Sequence, residues 1–77
     1  MGSLGAKRVR ETFNPSGIPA VNKFKRYTAD LIDICYAEQG KNDDPEQGRL
    51  YSLAMTFYEM AAMYAVKAAT AEKEPPT

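Results

Sequence analysis

Apolar residues recur at helical spacing along a first long stretch of the chain. They form a stripe with 3-4-3-4 spacing, widened by Ile32 and Ile34, that consists of Val21, Phe24, Thr28, Leu31 and Cys35. Pro19 suits the first turn of a helix, where its missing N–H needs no partner. Gly40 is expected to supply a left-handed stop. The pattern therefore predicts a helix from about Pro19 to Gln39.

A second start signal lies a few residues further on. Asp44 is a good N-cap, Pro45 is a good first helical residue, and Gln47 completes a capping box. The apolar run that follows predicts a helix from about Pro45 to Thr70 or Ala71. No alternation typical of β-strands and no internal repeat is present.

The second predicted helix is apolar in nearly every direction. Between Arg49 and Lys67 its only charged residue is Glu59. A helix that is apolar all round is buried all round, and one partner helix buries only one stripe. Small residues that would allow close helix approach occur throughout: Ala54, Ala61, Ala62, Ala65, Ala68 and Ala69. A chain of 77 residues with no disulfide is expected to need self-association for stability.

These elements predict an all-α fold, an antiparallel helical hairpin that assembles into a compact homo-oligomer. Residues 13–71 form the hairpin domain. Residues 1–12, which show no sustained period, are expected to be a flexible N-terminal arm. Residues 72–77, rich in charge and proline, are expected to be a disordered tail.

Composition narrows the function classes. Ten basic residues balance ten acidic ones, which disfavours a protein that coats nucleic acid or membrane. The single cysteine fits a reducing compartment. No apolar run reaches the roughly 20 residues of a transmembrane helix. We expect a soluble, cytoplasmic protein with no membrane partner.

Catalytic and metal-binding chemistry is sparse. The chain has no histidine, the commonest general base and metal ligand. Cys35 lies on the apolar face of the first helix, as a buried structural thiol would. Asp30 and Asp33 are interpreted as a solvated face, and no glycine-rich phosphate loop is present. We expect neither an enzyme nor a bound metal or cofactor.

The hairpin geometry brings distant residues together. If Gln39 lies opposite Pro45, then Glu59 faces Lys25 or Arg26, which favours an interhelical ion pair. The same register places Lys67 opposite Gly17, and Thr70 opposite Asn14. That corner offers helix-start amides, an ammonium and the hydroxyls of Thr70 and Ser16, as an anion site would. The alternative is a helix entry held by capping bonds, with Lys67 satisfying terminal carbonyls.

Several segments in order resemble a phage protein family, the anti-CBASS cyclic-oligonucleotide sponges. These share their helical hairpin domain with the first Thoeris anti-defence protein. The segments that carry the resemblance are Phe13-Asn14-Pro15-Ser16-Gly17, Leu31-Ile32-Asp33, Asp44-Pro45-Glu46, Arg49-Leu50 and the run from Ala61 to Thr70. The resemblance covers roughly residues 11 to 70.

The resemblance implies a homohexamer that is not an enzyme and that sequesters cyclic oligonucleotides in the cytoplasm of the infected bacterium. Effectors of CBASS immunity would then stay inactive. By this resemblance, Asn14, Lys67 and Thr70 contact the phosphates of a cyclic trinucleotide. Phe13 would stack on a base of a cyclic dinucleotide. Further groups of the dinucleotide pocket would be Arg26 and Thr28, with Lys25 equally near.

Other functions fit parts of the pattern. A sponge for a cyclic ADP-ribose isomer of Thoeris signalling shares the hairpin, although such relatives typically carry an additional β-rich segment. A structural bundle that docks on a partner protein would also use an apolar second helix. A nucleic-acid binder would use the arm Lys7-Arg8-Val9-Arg10, but the zero net charge disfavours binding of a DNA or RNA polymer.

Overall fold

A computed structural model describes residues 3–9, 17–41 and 43–71. They contain helix α1 (Leu4–Val9), helix α2 (Pro19–Gln39) and helix α3 (Pro45–Ala71). No β-strand occurs in these ranges, so the all-α prediction is confirmed, and so are the predicted limits of α2 and α3. Within the same ranges, no helix has the length and apolarity needed to cross a membrane. The predicted tail, 72–77, lies outside the described residues.

The two long helices begin and end through short-range hydrogen bonds. Asp44 Oδ1 accepts a hydrogen bond from the Glu46 amide at 3.1 Å, which confirms Asp44 as the N-cap of α3. The prediction for Gly40 is wrong, because its backbone is right-handed, with φ −76° and ψ −8°. Its N–H donates to the Tyr36 carbonyl at 3.2 Å, so α2 ends in an ordinary helical turn.

Helices α2 and α3 pack against each other as a hairpin. At the closed end, Gln39 Nε2 donates to the Gly48 carbonyl at 2.7 Å and to Ser52 Oγ at 2.8 Å. Further along, a small core contains Ile32, Cys35, Met55 and Ala62, flanked by Tyr51 and Tyr58. Cys35 is buried, as predicted.

The face of α2 that packs inward differs from the predicted stripe. Phe24 and Leu31 are exposed and Thr28 is half-buried. Three of the predicted members, Val21, Ile32 and Cys35, are buried as expected, and the other two buried positions are Lys25 and Ala29. Both faces of α2 have helical periodicity, and the buried face includes Ala29, whose backbone lies against Gly5 of α1.

Helix α1 lies inside the segment that the sequence predicts as a flexible arm. Its Gly5 amide donates to Asp33 Oδ1 on α2 at 2.7 Å, and Val9 enters the core. A Cβ on Gly5 would lie 2.0 Å from the Ala29 carbonyl oxygen, so only glycine allows this approach. The interpretation of Asp33 as a solvated residue is therefore wrong. It is half-buried and anchors α1.

Candidate functional site

A cavity of about 360 Å³ opens where the three helices meet. The side chains that line it are a mixture of charged and apolar groups, namely Arg8, Val9, Lys25, Glu59, Ala62, Met63 and Val66. Helix α1 contributes the first two, α2 contributes the lysine, and α3 contributes the rest. The volume lies at the lower end of the range for small-molecule sites, about 300–1,000 Å³.

Lys25 is the most buried charged residue of the described ranges, with 6% of its surface exposed. A lysine is tolerated there because its four-carbon stem packs on apolar neighbours while the ammonium keeps a polar environment. No buried side-chain nitrogen or oxygen in the described residues is left without a hydrogen-bond partner. The inward face of α2 therefore places a cationic residue in an otherwise apolar wall.

Glu59 lies across the cavity from α1. Its Oε2 is 3.7 Å from Arg8 Nε, and both side chains are half-buried. An ion pair of this exposure contributes little to stability, about 0–1 kcal/mol. Two cationic residues thus share the cavity with one carboxylate, so its lining has a net positive charge. Such a lining favours an anionic ligand with an apolar or aromatic body.

The register predicted from the hairpin brings Lys25 and Glu59 to the same cavity, but the ion pair that the structure gives for Glu59 is with Arg8 of α1. Arg8, in contrast, is absent from the predicted site residues. Helix α1 has only six residues, too few for a periodic pattern to identify it. The available signal was Glu59 itself, a lone carboxylate in an apolar run that needs a cationic partner.

The predicted trinucleotide corner is described only in part. Asn14 and Ser16 lie outside the described residues, and so does Phe13, which was predicted for the dinucleotide pocket. Gly17 has a φ of +67°, in the left-handed region that favours glycine. Lys67 is exposed, and Thr70 is half-buried, near the end of α3. The Thr70 hydroxyl lies 3.0 Å from the Val66 carbonyl oxygen, to which it can donate, and its oxygen can still accept a hydrogen bond from a ligand.

The three candidate residues on α2 have different environments. Lys25 is buried in the cavity wall, whereas Arg26 is exposed and does not line the cavity. The Arg26 guanidinium carbon lies 6.0 Å from the centre of the Tyr27 ring, a cation–π distance. Thr28 is half-buried. The structure thus separates Lys25 from the outward-facing Arg26, which the sequence could not distinguish.

No group of three or more histidine, cysteine, aspartate or glutamate side chains able to hold a metal ion occurs in the part of the chain that the structure describes. Comparison with protein-family models, with curated proteins and with solved structures gives no match to this chain.

Proposed function

We propose that this chain sequesters cyclic oligonucleotide second messengers without chemical change, as a homo-oligomer that blocks activation of CBASS effectors during phage infection. The observation that carries the proposal is the cavity in which Lys25 and Arg8 accompany an apolar wall. A phosphate has the charge that these cations favour, and a base has the flat apolar surface that the wall accepts. The sequence resemblance to anti-CBASS sponges supports the same ligand class.

The size of the cavity fits a shared pocket. A volume of about 360 Å³ lies at the lower end of the range for small-molecule sites, so in this proposal it holds only part of a cyclic dinucleotide. The second nucleotide would then contact another copy of the chain. In this proposal the exposed Arg26 of α2 would make that contact, together with Thr28 and Phe13.

A second pocket would serve cyclic trinucleotides. Asn14, Lys67 and Thr70 from each of three copies would surround one ligand, each set facing one phosphate. The exposed Lys67 supplies charge, and the Thr70 hydroxyl would donate to a phosphate oxygen in place of the Val66 carbonyl. Reaction chemistry has no part in either pocket, because binding alone removes the messenger from its effector.

Isothermal titration calorimetry with cyclic dinucleotides, cyclic trinucleotides and a cyclic ADP-ribose isomer tests this proposal. We expect heat with at least one cyclic oligonucleotide, and recovery of the intact ligand after heat denaturation of the protein. Lys25→Met should weaken dinucleotide binding at least tenfold, because it keeps the packing of the stem but removes the charge. Lys67→Ala should weaken trinucleotide binding instead.

Lys41→Met is the matched control. Lys41 is exposed at the turn between α2 and α3, where its Nζ lies 2.8 Å from Glu38 Oε2, far along α2 from Lys25. Its removal should leave both affinities unchanged. Absence of heat with every cyclic oligonucleotide would overturn the proposal. A response to the cyclic ADP-ribose isomer alone would move the function to Thoeris signalling.

A further inference from the structure

Glu59 is the acidic residue in the lining of the cavity, whose other charged residues are Arg8 and Lys25. It is also the only charged residue between Arg49 and Lys67 on α3. A carboxylate repels a phosphate, so in a site proposed for an anionic ligand Glu59 needs a different role. A carboxylate accepts hydrogen bonds, and its partner must therefore be a donor, either on the protein or on the ligand.

Arg8 meets this requirement only in part. Glu59 Oε2 lies 3.7 Å from Arg8 Nε, which is longer than an N–H···O hydrogen bond of about 2.7–3.2 Å. An ionised carboxylate has about four acceptor positions on its two oxygens. The Glu59 side chain is 33% exposed, so a molecule that enters from solvent can reach it. The ion pair with Arg8 thus leaves Glu59 able to accept hydrogen bonds from a donor in the cavity.

The part of the cavity wall that adjoins Glu59 is apolar. At three, four and seven positions after Glu59 on α3 stand Ala62, Met63 and Val66, which also line the cavity. Residues at this spacing share one face of a helix. Met63 is exposed, and a thioether packs favourably on an aromatic ring. A flat base that lies on this face would therefore have one edge at the Glu59 carboxylate.

The four bases differ in what that edge offers to a carboxylate. Guanine presents two adjacent donors, the ring N1–H and the 2-amino group, which match the two carboxylate oxygens. Adenine and cytosine present an amino group beside a ring nitrogen that carries a lone pair. Uracil presents one N–H between two carbonyl oxygens. A lone pair opposite a carboxylate is repulsive, so guanine is the base that engages both oxygens without repulsion.

We infer that Glu59 selects guanine. Its carboxylate accepts hydrogen bonds from the N1–H and the 2-amino group of a guanine in the cavity, while Arg8 and Lys25 hold the neighbouring phosphate. Arg8 can serve both groups, because a guanidinium has five N–H donors and its Nε is the atom nearest to Glu59. The inference rests on the function proposed above and adds the base that the cavity prefers.

Calorimetric titration of the natural full chain with cyclic di-GMP, cyclic di-IMP and cyclic di-AMP tests the inference without any substitution. Hypoxanthine, the base of cyclic di-IMP, differs from guanine only by the loss of the 2-amino group. A bidentate contact between a side chain and a base is worth about 5- to 150-fold in affinity. Cyclic di-GMP should bind more tightly than cyclic di-AMP by a factor in that range, with cyclic di-IMP between them.

Glu59→Gln separates contact with the base from positioning of Arg8. Glutamine has nearly the same shape but carries one acceptor and one donor group, so it pairs with adenine as well as with guanine. The preference for cyclic di-GMP should be lost. Glu46→Gln is the matched control, because Glu46 also lies on α3 and pairs with an arginine, Arg49, yet it is exposed and does not line the cavity. It should keep the natural preference.

The possible failures are distinguishable. Equal affinity of the natural chain for the three ligands would overturn the inference and leave the proposed function standing. An equal loss of affinity for all three in Glu59→Gln would overturn it too, since Glu59 would then only position Arg8. Absence of binding to every cyclic nucleotide would overturn both the inference and the proposed function.

Discussion

At the residue scale, the most demanding contact is the one between Gly5 and the backbone of α2. The Gly5 amide donates to Asp33, and the Ala29 carbonyl leaves no room for a Cβ. This contact converts a short segment with no sequence period into a helix. It also brings Arg8 to Glu59. Because Gly5 has a hydrogen atom where other residues have a Cβ, α1 can approach closely enough to form one side of the cavity.

Gly5→Ala should therefore detach α1. The added methyl group would lie 2.0 Å from a carbonyl oxygen, and overpacking against backbone costs typically 1–3 kcal/mol. Amide hydrogen exchange of residues 4–9 should become at least tenfold faster than in the natural chain. Gly48→Ala is the matched control, since a Cβ there meets nothing within 4 Å. It should raise stability by about 0.5–1 kcal/mol because alanine favours the helix. Unchanged exchange in Gly5→Ala would contradict the docking of α1.

At the element scale, the limits of the helices could be predicted and the choice of packing face could not. Pro19 and Pro45 fix the helix starts through their own backbone geometry, which is local information. The inward face of α2 packs on α1 as well as on α3, and α1 is a partner without a recognisable pattern. Phe24 and Leu31 read as core residues for this reason, and Lys25 was not distinguished from Arg26. The cavity is lined partly by that face of α2 and partly by α1. The contribution of α1 to the cavity could therefore not be predicted from the sequence.

Helix α1 also offers a test of its anchor. Asp33→Ala removes the acceptor of the Gly5 amide, and hydrogen bonds to charged groups contribute about 1.5–3 kcal/mol. Trypsin should then cleave after Lys7 or Arg8 at least several times faster, because α1 spends more time undocked. Asp30 lies on α2 like Asp33 but is exposed, so Asp30→Ala should leave the cleavage rate unchanged. Equal acceleration in both variants would show that the anchor does not hold α1.

At the scale of the whole molecule, the small core leads us to expect that assembly and folding are coupled. Among the described residues only Ile32 and Val21 are large side chains with essentially no exposed surface, while eleven large hydrophobic side chains are exposed. So small a core contributes little against the conformational entropy of an ordered chain. The apolar surface of α3, from which the sequence predicts assembly, is largely exposed in the described residues. The oligomer itself stays a prediction.

Coupling of this kind makes thermal stability depend on protein concentration. For a dimer that unfolds as it dissociates, each tenfold rise in concentration adds about 1.4 kcal/mol, which for two chains of this length raises the Tm by roughly 4 °C. Differential scanning calorimetry at chain concentrations from micromolar to millimolar should show this rise of Tm with concentration for the natural protein. The control Thr56→Glu, which adds a charge at an exposed polar position of α3, should show the same rise. Phe57→Glu should unfold at a lower Tm with a much smaller slope, because it places a charge among the exposed apolar side chains of α3, where we expect self-association. A natural protein whose Tm is independent of concentration would mean that the chain is stable without a second copy, despite the exposed apolar side chains of α3.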